Sequence, residues 1–311
     1  MDVLADILKT IRLHTSTYFC RDFNTPWGMN IPHSSNGLFH VIVEGECWLK
    51  IMNRDEPIHM SEGDIVAFPT GGAHWISDHP DSERRAGREV VDEIIHGKNP
   101  FYSPEANEST RQTLLCGAFD YDSSISHPFL RDLPCFIHIH ADNSPELGWL
   151  RELVKVLSSE SKSPSPGSSV IVDRLTEVLF IQILRSHVQR ESSVQGEGSS
   201  FGYLSALSDV KIGRALNLIH GEEQAEKSVE ALANEVALSR SAFTERFNKL
   251  VGESPKTYLV NWRMQKAKSK LEQTKLSMHN IAEAAGYASE AAFSKAFKQH
   301  FKVTPGSTRK I

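Results

Sequence analysis

Between Ser228 and Pro305 the chain runs twice through one local pattern, and a repeat of this kind leaves few folds open. The first copy is SVEALANEVALSRSAFTERFNKLVGESP, from Ser228 to Pro255; the second is SMHNIAEAAGYASEAAFSKAFKQHFKVTP, from Ser277 to Pro305. Leu232 and Ala233 match Ile281 and Ala282, and Ala237 matches Gly286. After one inserted residue, Phe243 and Phe247 match Phe293 and Phe297. Each copy reads as a helix, a tight turn and a second helix. Two helices meeting at a steep angle need a small residue where their backbones come closest, then a polar cap such as Ser239 or Ser289 to start the next helix.

A hairpin repeat that only stacks on itself is the plainer alternative, but stacked solenoids need about three or more units to bury a continuous core, and two are visible. Charge favours a polyanionic partner. From Arg240 to Ile311 there are 14 Lys plus Arg against 5 Glu and no Asp, a balance of 14 − 5 = +9, while the whole chain carries −5. Base is concentrated where phosphate would be met. Phe243, Phe247, Phe293, Phe297 and Trp262 stand at helical spacing and read as core.

The joining segment opens with Ser254 and Pro255, a cap followed by the first helical position, and continues to about Gln273. A helix of roughly 18 residues spans about 27 Å, close to the pitch of one turn of B-DNA at about 34 Å. The two second helices of one chain are therefore expected to enter successive major grooves from one side.

With these motifs in view, residues 228 to 309 resemble the DNA-binding domain of AraC/XylS-type transcriptional regulators. NIAEAAGYASEAAFSKAFKQHFKVTPG, from Asn280 to Gly306, is similar to that family's signature, and YLVNWRMQKAKSKL, from Tyr258, to its connecting helix. Thr308 stands where the family usually has Tyr, which implies a slightly looser last turn. The resemblance implies base-reading positions at Ser241, Thr244 and Glu245 in the first unit and at Glu290, Ala291, Ser294 and Lys295 in the second. Ser and Thr bond several base edges, Glu accepts from cytosine N4, and Lys reaches guanine O6 or N7. No Arg, Asn or Gln is among them, so phosphate contacts from Arg240, Lys249, Lys256, Arg263 and Lys298 are expected to supply much of the affinity. The implied partners are double-stranded promoter DNA and RNA polymerase, and the implied activity is regulation of transcription, as an activator.

The 311 residues suit two domains. Residues 190 to 203, RESSVQGEGSSFGY, read as the linker between a sensor domain at 1–189 and the DNA-binding domain at 204–311. Strand patterns occupy residues 37 to 140, with GLFHVIVEGECWLKI turning at Gly45. From about residue 141 the pattern turns helical: LGWLRELVKVL at 147 to 157 and DRLTEVLFIQILRSHV at 173 to 188 are amphipathic, and SSESKSPSPGSS at 158 to 169 joins the two helices. The apolar stripe of the second is wide enough to bury against the sheet or against a second subunit, which makes a homodimer an expectation.

The spacing Gly63, Asp64, Pro69, Gly71, His74 resembles the second cupin motif, and LLCGAFDYD at 114 to 122 extends the match to the cupin-type sensor domain of many AraC/XylS regulators. The expected fold is two-domain α+β: an N-terminal cupin-like β-barrel with flanking helices, and a C-terminal all-α domain of two helix-turn-helix units joined by a connecting helix. Cupin enzymes hold iron or manganese on several His and a Glu. Here the first motif offers only His40 with Glu44 or Glu46, and Asp78 stands where the second has Asn. Catalysis is therefore not expected, no cofactor is assigned, and a metal at His74 is the secondary reading beside packing or effector contact. His138 and His140 in FIHIH would share one strand face and read first as structural, with joint metal binding as the lesser reading.

Cys20, Cys47, Cys116 and Cys135 are irregularly spaced, with no CxxC. Arg21 beside Cys20 would favour its thiolate, and Cys20 with Cys116 forms a candidate oxidant sensor, secondary to a buried structural role for these thiols. The N-terminus carries Asp2, Asp6 and Lys9 within an apolar periodicity, which reads as a helix and not a signal peptide. No apolar run approaches 18 residues, so a cytoplasmic protein away from membranes is expected. The effector candidates are Cys20, Cys116, His40 and His74, for a small molecule or an oxidant. A cupin metalloenzyme fused to a DNA-binding domain is the alternative, and an architectural or RNA-binding protein would leave the sensor-like half unexplained.

Overall fold

The computed structural model describes residues 3–11, 13–52, 54–107, 110–121, 127–141, 148–193, 202–221 and 228–309. They form two compact units. One comprises Leu13–Tyr121 and Leu133–Arg190; the other comprises Met1–Arg12, Asp122–Asp132 and Glu191–Ile311.

The first unit is built from two five-stranded sheets. One has the order β1 (His14–Asn24), β9 (Arg111–Asp120), β3 (Gly37–Glu44), β6 (Ile65–Phe68), β10 (Ile137–Ile139). The other runs β5 (Ile58–Ser61), β4 (Glu46–Ile51), β7 (His74–Ser77), β2 (Gly28–Ile31), β8 (Arg85–Ala86). Pairing is antiparallel except between β2 and β8. Phe19, Ile42 and Leu114 from one sheet meet Met29, Leu49 and Ile76 from the other in one apolar core. The turn expected at Gly45 joins β3 to β4, with Gly45 in the left-handed region at φ 85°.

Three helices flank the sheets: α2 (Gly87–Ile95), α4 (Gly148–Lys162) and α5 (Ser168–Ser193). Leu150, Val154 and Leu157 of α4 are buried at helical spacing, as are Leu179, Phe180, Ile183 and Leu184 of α5. The Pro- and Ser-rich stretch expected to join two helices does so, at 163–167. The expected linker at 190–203 lies largely outside the described residues: α5 continues to Ser193 and α6 begins at Tyr203, with 194–201 not described.

The second unit is all-α and includes two segments from earlier in the chain, α1 (Val3–Ile11) and α3 (Pro128–Arg131). The N-terminal periodicity thus forms the helix expected of it, with Val3, Leu4, Ile7, Leu8 and Ile11 buried. It packs on α7 (Val210–His220) and α10 (Pro255–Gln273). The rest of the unit is α6 (Tyr203–Ser208), α8 (Val229–Glu235), α9 (Arg240–Val251), α11 (Met278–Ala284), α12 (Glu290–Phe301) and α13 (Pro305–Thr308).

Candidate DNA interface and sensor core

The two repeat copies adopt the same backbone. In the first turn, Ala237 N–H donates to Asn234 O and Leu238 N–H to Ala233 O, both at 3.0 Å. In the second, Gly286 N–H donates to Glu283 O at 2.8 Å and Tyr287 N–H to Ala282 O at 3.0 Å. The matched residues Ala237 and Gly286 sit in the left-handed region, at φ 51° and 79°. Serine caps every helix of the pair: Ser228, Ser239, Ser277 and Ser289 each accept a backbone N–H from three residues on. Phe243 with Phe247, and Phe293 with Phe297, are fully buried ring pairs under α9 and α12.

That packing leaves one face of each second helix open. Ser241, Glu245, Glu290, Ala291 and Lys295 are exposed, and Thr244 and Ser294 are half-buried. The Thr244 hydroxyl donates to Arg240 O at 2.8 Å, within its own helix. Of the basic candidates, Arg240, Lys249, Lys256 and Lys298 are exposed. Arg263 is drawn in, and burial pulls its pKa below the usual arginine value. At the end of α13, Thr308 donates to Thr304 O at 3.0 Å and Arg309 to Leu276 O at 2.6 Å.

The connecting helix α10 is capped by Ser254, with Pro255 in its first turn, and its 19 residues reach about 28 Å. Its orientation is fixed by a buried polar chain centred on Tyr258. His220 Nδ1 meets the Asp6 carboxylate at 3.0 Å and so carries the proton. Its Nε2 must then accept, from Tyr258 O–H at 2.7 Å. Tyr258 in turn accepts from Tyr203 O–H at 2.5 Å. It also accepts from His127 Nε2–H at 3.2 Å, since His127 Nδ1 takes Phe129 N–H. Lys266 completes the set by donating to the other oxygen of Asp6. Burial raises the cost of ionising Asp6, but the bonds from His220 and Lys266 outweigh it and hold the carboxyl below its ordinary value. Burial keeps His127 neutral, its pKa pulled down to about 3, and also depresses His220.

In the β unit, the effector candidates His40 and His74 are brought together. His74 Nδ1 donates to Gly72 O at 2.7 Å, leaving Nε2 to accept from His40 Nε2–H at 2.8 Å. His40 Nδ1 then accepts the Cys116 thiol at 3.0 Å. Phe68 stacks flat on His74, with centroids 3.8 Å apart and planes at 5°. Burial holds His74 neutral, at about 4, and drives His40 well below its usual value, while it pushes the Cys116 thiol well above.

This donor set does not fit the iron or manganese of cupin enzymes. Glu44 pairs with Arg111 at 3.5 Å and Glu46 with His59 at 3.2 Å, so neither carboxylate joins the two histidines. Asp78 accepts Trp27 N–H at 3.0 Å, a structural bond.

The expected thiolate at Cys20 is corrected by its burial. Desolvation raises the thiol pKa and outweighs the nearby cations, and Arg21 instead donates to Cys20 O at 2.9 Å. Nor do Cys20 and Cys116 face each other. Cys20 pairs with Leu115 and Cys116 with Phe19 in the β1–β9 ladder, so the two side chains leave opposite faces of the sheet. Cys20 bonds Ser158 of α4 at 3.2 Å, and Cys116 bonds His40. A disulfide needs Cβ atoms about 3.5–4.5 Å apart on converging vectors, which this arrangement does not provide.

Comparison with known proteins fits both units. Residues 2–189 match the Cupin family model and residues 232–311 the Helix-turn-helix domain model. The chain is 31 % identical over 278 residues to an HTH-type transcriptional regulator of Haemophilus influenzae, covering 89 % of this chain and 87 % of that one. It is 29 % identical over 308 residues to the HTH-type transcriptional regulator AlkR of Acinetobacter baylyi, at 98 % of both chains. It is 26 % identical over 310 residues to an AraC-like transcription regulator of Streptomyces lividans, at 100 % and 98 %. The chain belongs to the AraC-like transcriptional regulators.

Three features of this AraC-like regulator escape sequence reasoning. Asp6 lies far from its partners along the chain, and only folding joins them. Arg246, on α9 among the candidate contacts, is bound to Asp209 at 2.5 Å, where Asp209 also caps α7. Asp64 meets His138 at 3.1 Å and His140 at 3.8 Å, a cluster of which the sequence suggested only the histidine pair. No described helix of the regulator is long and apolar enough to cross a membrane.

Proposed function

We propose that this regulator binds promoter DNA through α9 and α12, inserted in successive major grooves, and that a small molecule received by the cupin-type unit changes that occupancy. The observation that carries the reading is the matched pair of turns at Ala237 and Gly286, each followed by a capped helix with an open polar face. Ser241, Thr244, Glu245, Glu290, Ala291, Ser294 and Lys295 would meet base edges. Arg240, Lys249, Lys256 and Lys298 would meet phosphate, with Arg263 at the edge of the contact. The direction we propose is activation, through contact with RNA polymerase, and we infer a cytoplasmic protein because promoter DNA is its partner.

A cavity between the sheet and α4 supports a small-molecule effector. Ile42, Ile65, Ile139, Leu150 and Val154 line it, with Arg151 and Lys155 also present. Glu62 lines it too, Lys155 is paired with Glu152 at 2.7 Å and Arg151 donates to Ala141 O at 3.3 Å, so the lining suits a largely apolar molecule. The neutral, mutually bonded His40 and His74 support a positioning role in the domain core and no catalysis, and the missing carboxylate speaks against the metalloenzyme reading. Exposed Trp149, Val156, Val170 and Val178 on α4 and α5 support a homodimer through these helices.

Footprinting of the purified protein on DNA upstream of its own gene, with and without effector candidates and a mild thiol oxidant, tests the reading. Two protected adjacent major grooves whose occupancy responds to a small molecule bear it out. A response to oxidant alone moves the signal to the cysteines. Selection from random DNA that returns no preferred sequence overturns it.

A further inference from the structure

The strongest unassigned chemistry lies at the end of β10. Asp64, His138 and His140 place one carboxylate oxygen and one nitrogen from each ring within 4.8 Å of one another. Asp64 Oδ2 is 3.1 Å from His138 Nε2 and 3.8 Å from His140 Nδ1. Donors bound to one tetrahedral ion at about 2.0–2.1 Å stand about 3.3 Å apart, so Asp64 Oδ2 lies within about 0.5 Å of that spacing from both ring nitrogens. We infer that Asp64, His138 and His140 form a two-histidine, one-carboxylate site for a divalent transition-metal ion such as Zn²⁺, separate from the His40–His74 pair.

The surroundings are those of a built site. Asp64 follows Gly63, which takes φ 85°, and its carboxylate is oriented by backbone donors, Ala141 N–H at 2.9 Å on Oδ1 and Ser61 N–H at 3.2 Å on Oδ2. Such outer bonds fix a ligand's aim and are a regular part of metal centres. The three ligands differ in depth: the side chains of Asp64 and His138 are 6 % and 9 % exposed and that of His140 is 49 % exposed, which gives an ion a way in. His140 and His138 also line a surface cavity with His187 of α5, which leaves room for a water as the fourth donor. Arg54 lines the same cavity, but its guanidinium is held over the Phe136 ring at 5.2 Å. Imidazole and carboxylate donors suit zinc, iron, nickel or copper, and this set is too poor in oxygen for magnesium or calcium.

The test is titration of untagged full-length protein with Zn²⁺ at neutral pH, against a competing chelator, with Mg²⁺ as the control ion. We expect one Zn²⁺ per chain and no Mg²⁺. Affinity should drop by about tenfold or more in His140→Ala, a half-exposed position whose loss leaves the fold intact, since even outer-shell losses reach that range. Asp64→Asn, which keeps the bond to Ala141 N–H and removes the charge, should weaken binding comparably. Equal affinity and stoichiometry in His140→Ala overturn the inference, as does binding abolished by His74→Ala and untouched by His140→Ala.

Discussion

Asp6 and His220 are 214 residues apart in the chain, yet their side chains meet at 3.0 Å in the buried network that positions Tyr258 on the connecting helix. The first helix of the chain is therefore part of the DNA-binding unit. The chain passes from one unit to the other four times, after residues 12, 121, 132 and 190.

Asp6→Ala should leave His220 and Lys266 facing an unfilled buried position. Removing one partner of a buried charge pair costs several kcal/mol, and Lys266 retains some solvent, so a loss of about 2–3 kcal/mol is expected. Chemical denaturation of the full chain reads it. An unchanged midpoint would show that the bonds from Asp6 to His220 and Lys266 contribute nothing to the unit's stability.

Stability should fall on mild acidification. His40, His74, His127 and His220 all have pKa values depressed in the folded chain, chiefly by burial. Below the ordinary histidine value near 6.5 the unfolded chain takes up protons that the folded chain refuses. Each group then removes up to about 1.4 kcal/mol per pH unit until its folded value is reached, about 4 for His74 and about 3 for His127. Denaturation at pH 7.5 and pH 5 should differ clearly, with the lower pH less stable; equal midpoints would contradict neutral, buried rings.

The two turns make a reciprocal test. Ala237 adopts a left-handed conformation that strains any residue with a Cβ, so Ala237→Gly should stabilise the first motif by about 0.5–1 kcal/mol. Gly286→Ala, at the matched position, should destabilise the second by about 1 kcal/mol. Thermal melts decide both signs.

The thiols should react in order of exposure. Cys135 is exposed while Cys20, Cys47 and Cys116 are buried, so alkylation of the folded protein followed by peptide mapping should label Cys135 first. Early labelling of Cys20 would restore it as a candidate oxidant target.

Much of this was legible in the sequence, unevenly. The helical half could be read because Ser239, Ser289, Gly286 and the phenylalanine pairs each impose a local geometry at a fixed spacing. The strands around Gly45 and the helices on either side of 163–167 followed from turn chemistry and periodicity. Asp6 and Tyr258 read as ordinary members of separate helices and His220 gives no signal of its own, because their bonding depends on tertiary approach. Cys20 is buried, as its structural reading has it, and only the thiolate expectation fails, for a related reason. Adjacency to Arg21 in sequence says nothing of the desolvation that dominates its thiol, and strand alternation sends it away from Cys116.

Base and phosphate positions should separate in binding assays. Lys298→Ala and Arg240→Ala should weaken binding alike on all sequences and lower the salt dependence by about one ion each. Lys295→Ala and Glu245→Ala should instead relax preference at one base pair each. Variants of both kinds behaving identically would remove the distinction drawn between them.

The central claim is that α9 and α12 of a single chain read two grooves one helical turn apart. Its most direct test is selection of binding sites from random DNA, followed by insertion of half a turn, about 5 bp, between the two selected boxes. The account predicts two boxes with centres about 10–10.5 bp apart, and loss of binding when the insertion rotates one box to the opposite side. A single box, or affinity indifferent to the insertion, would contradict it.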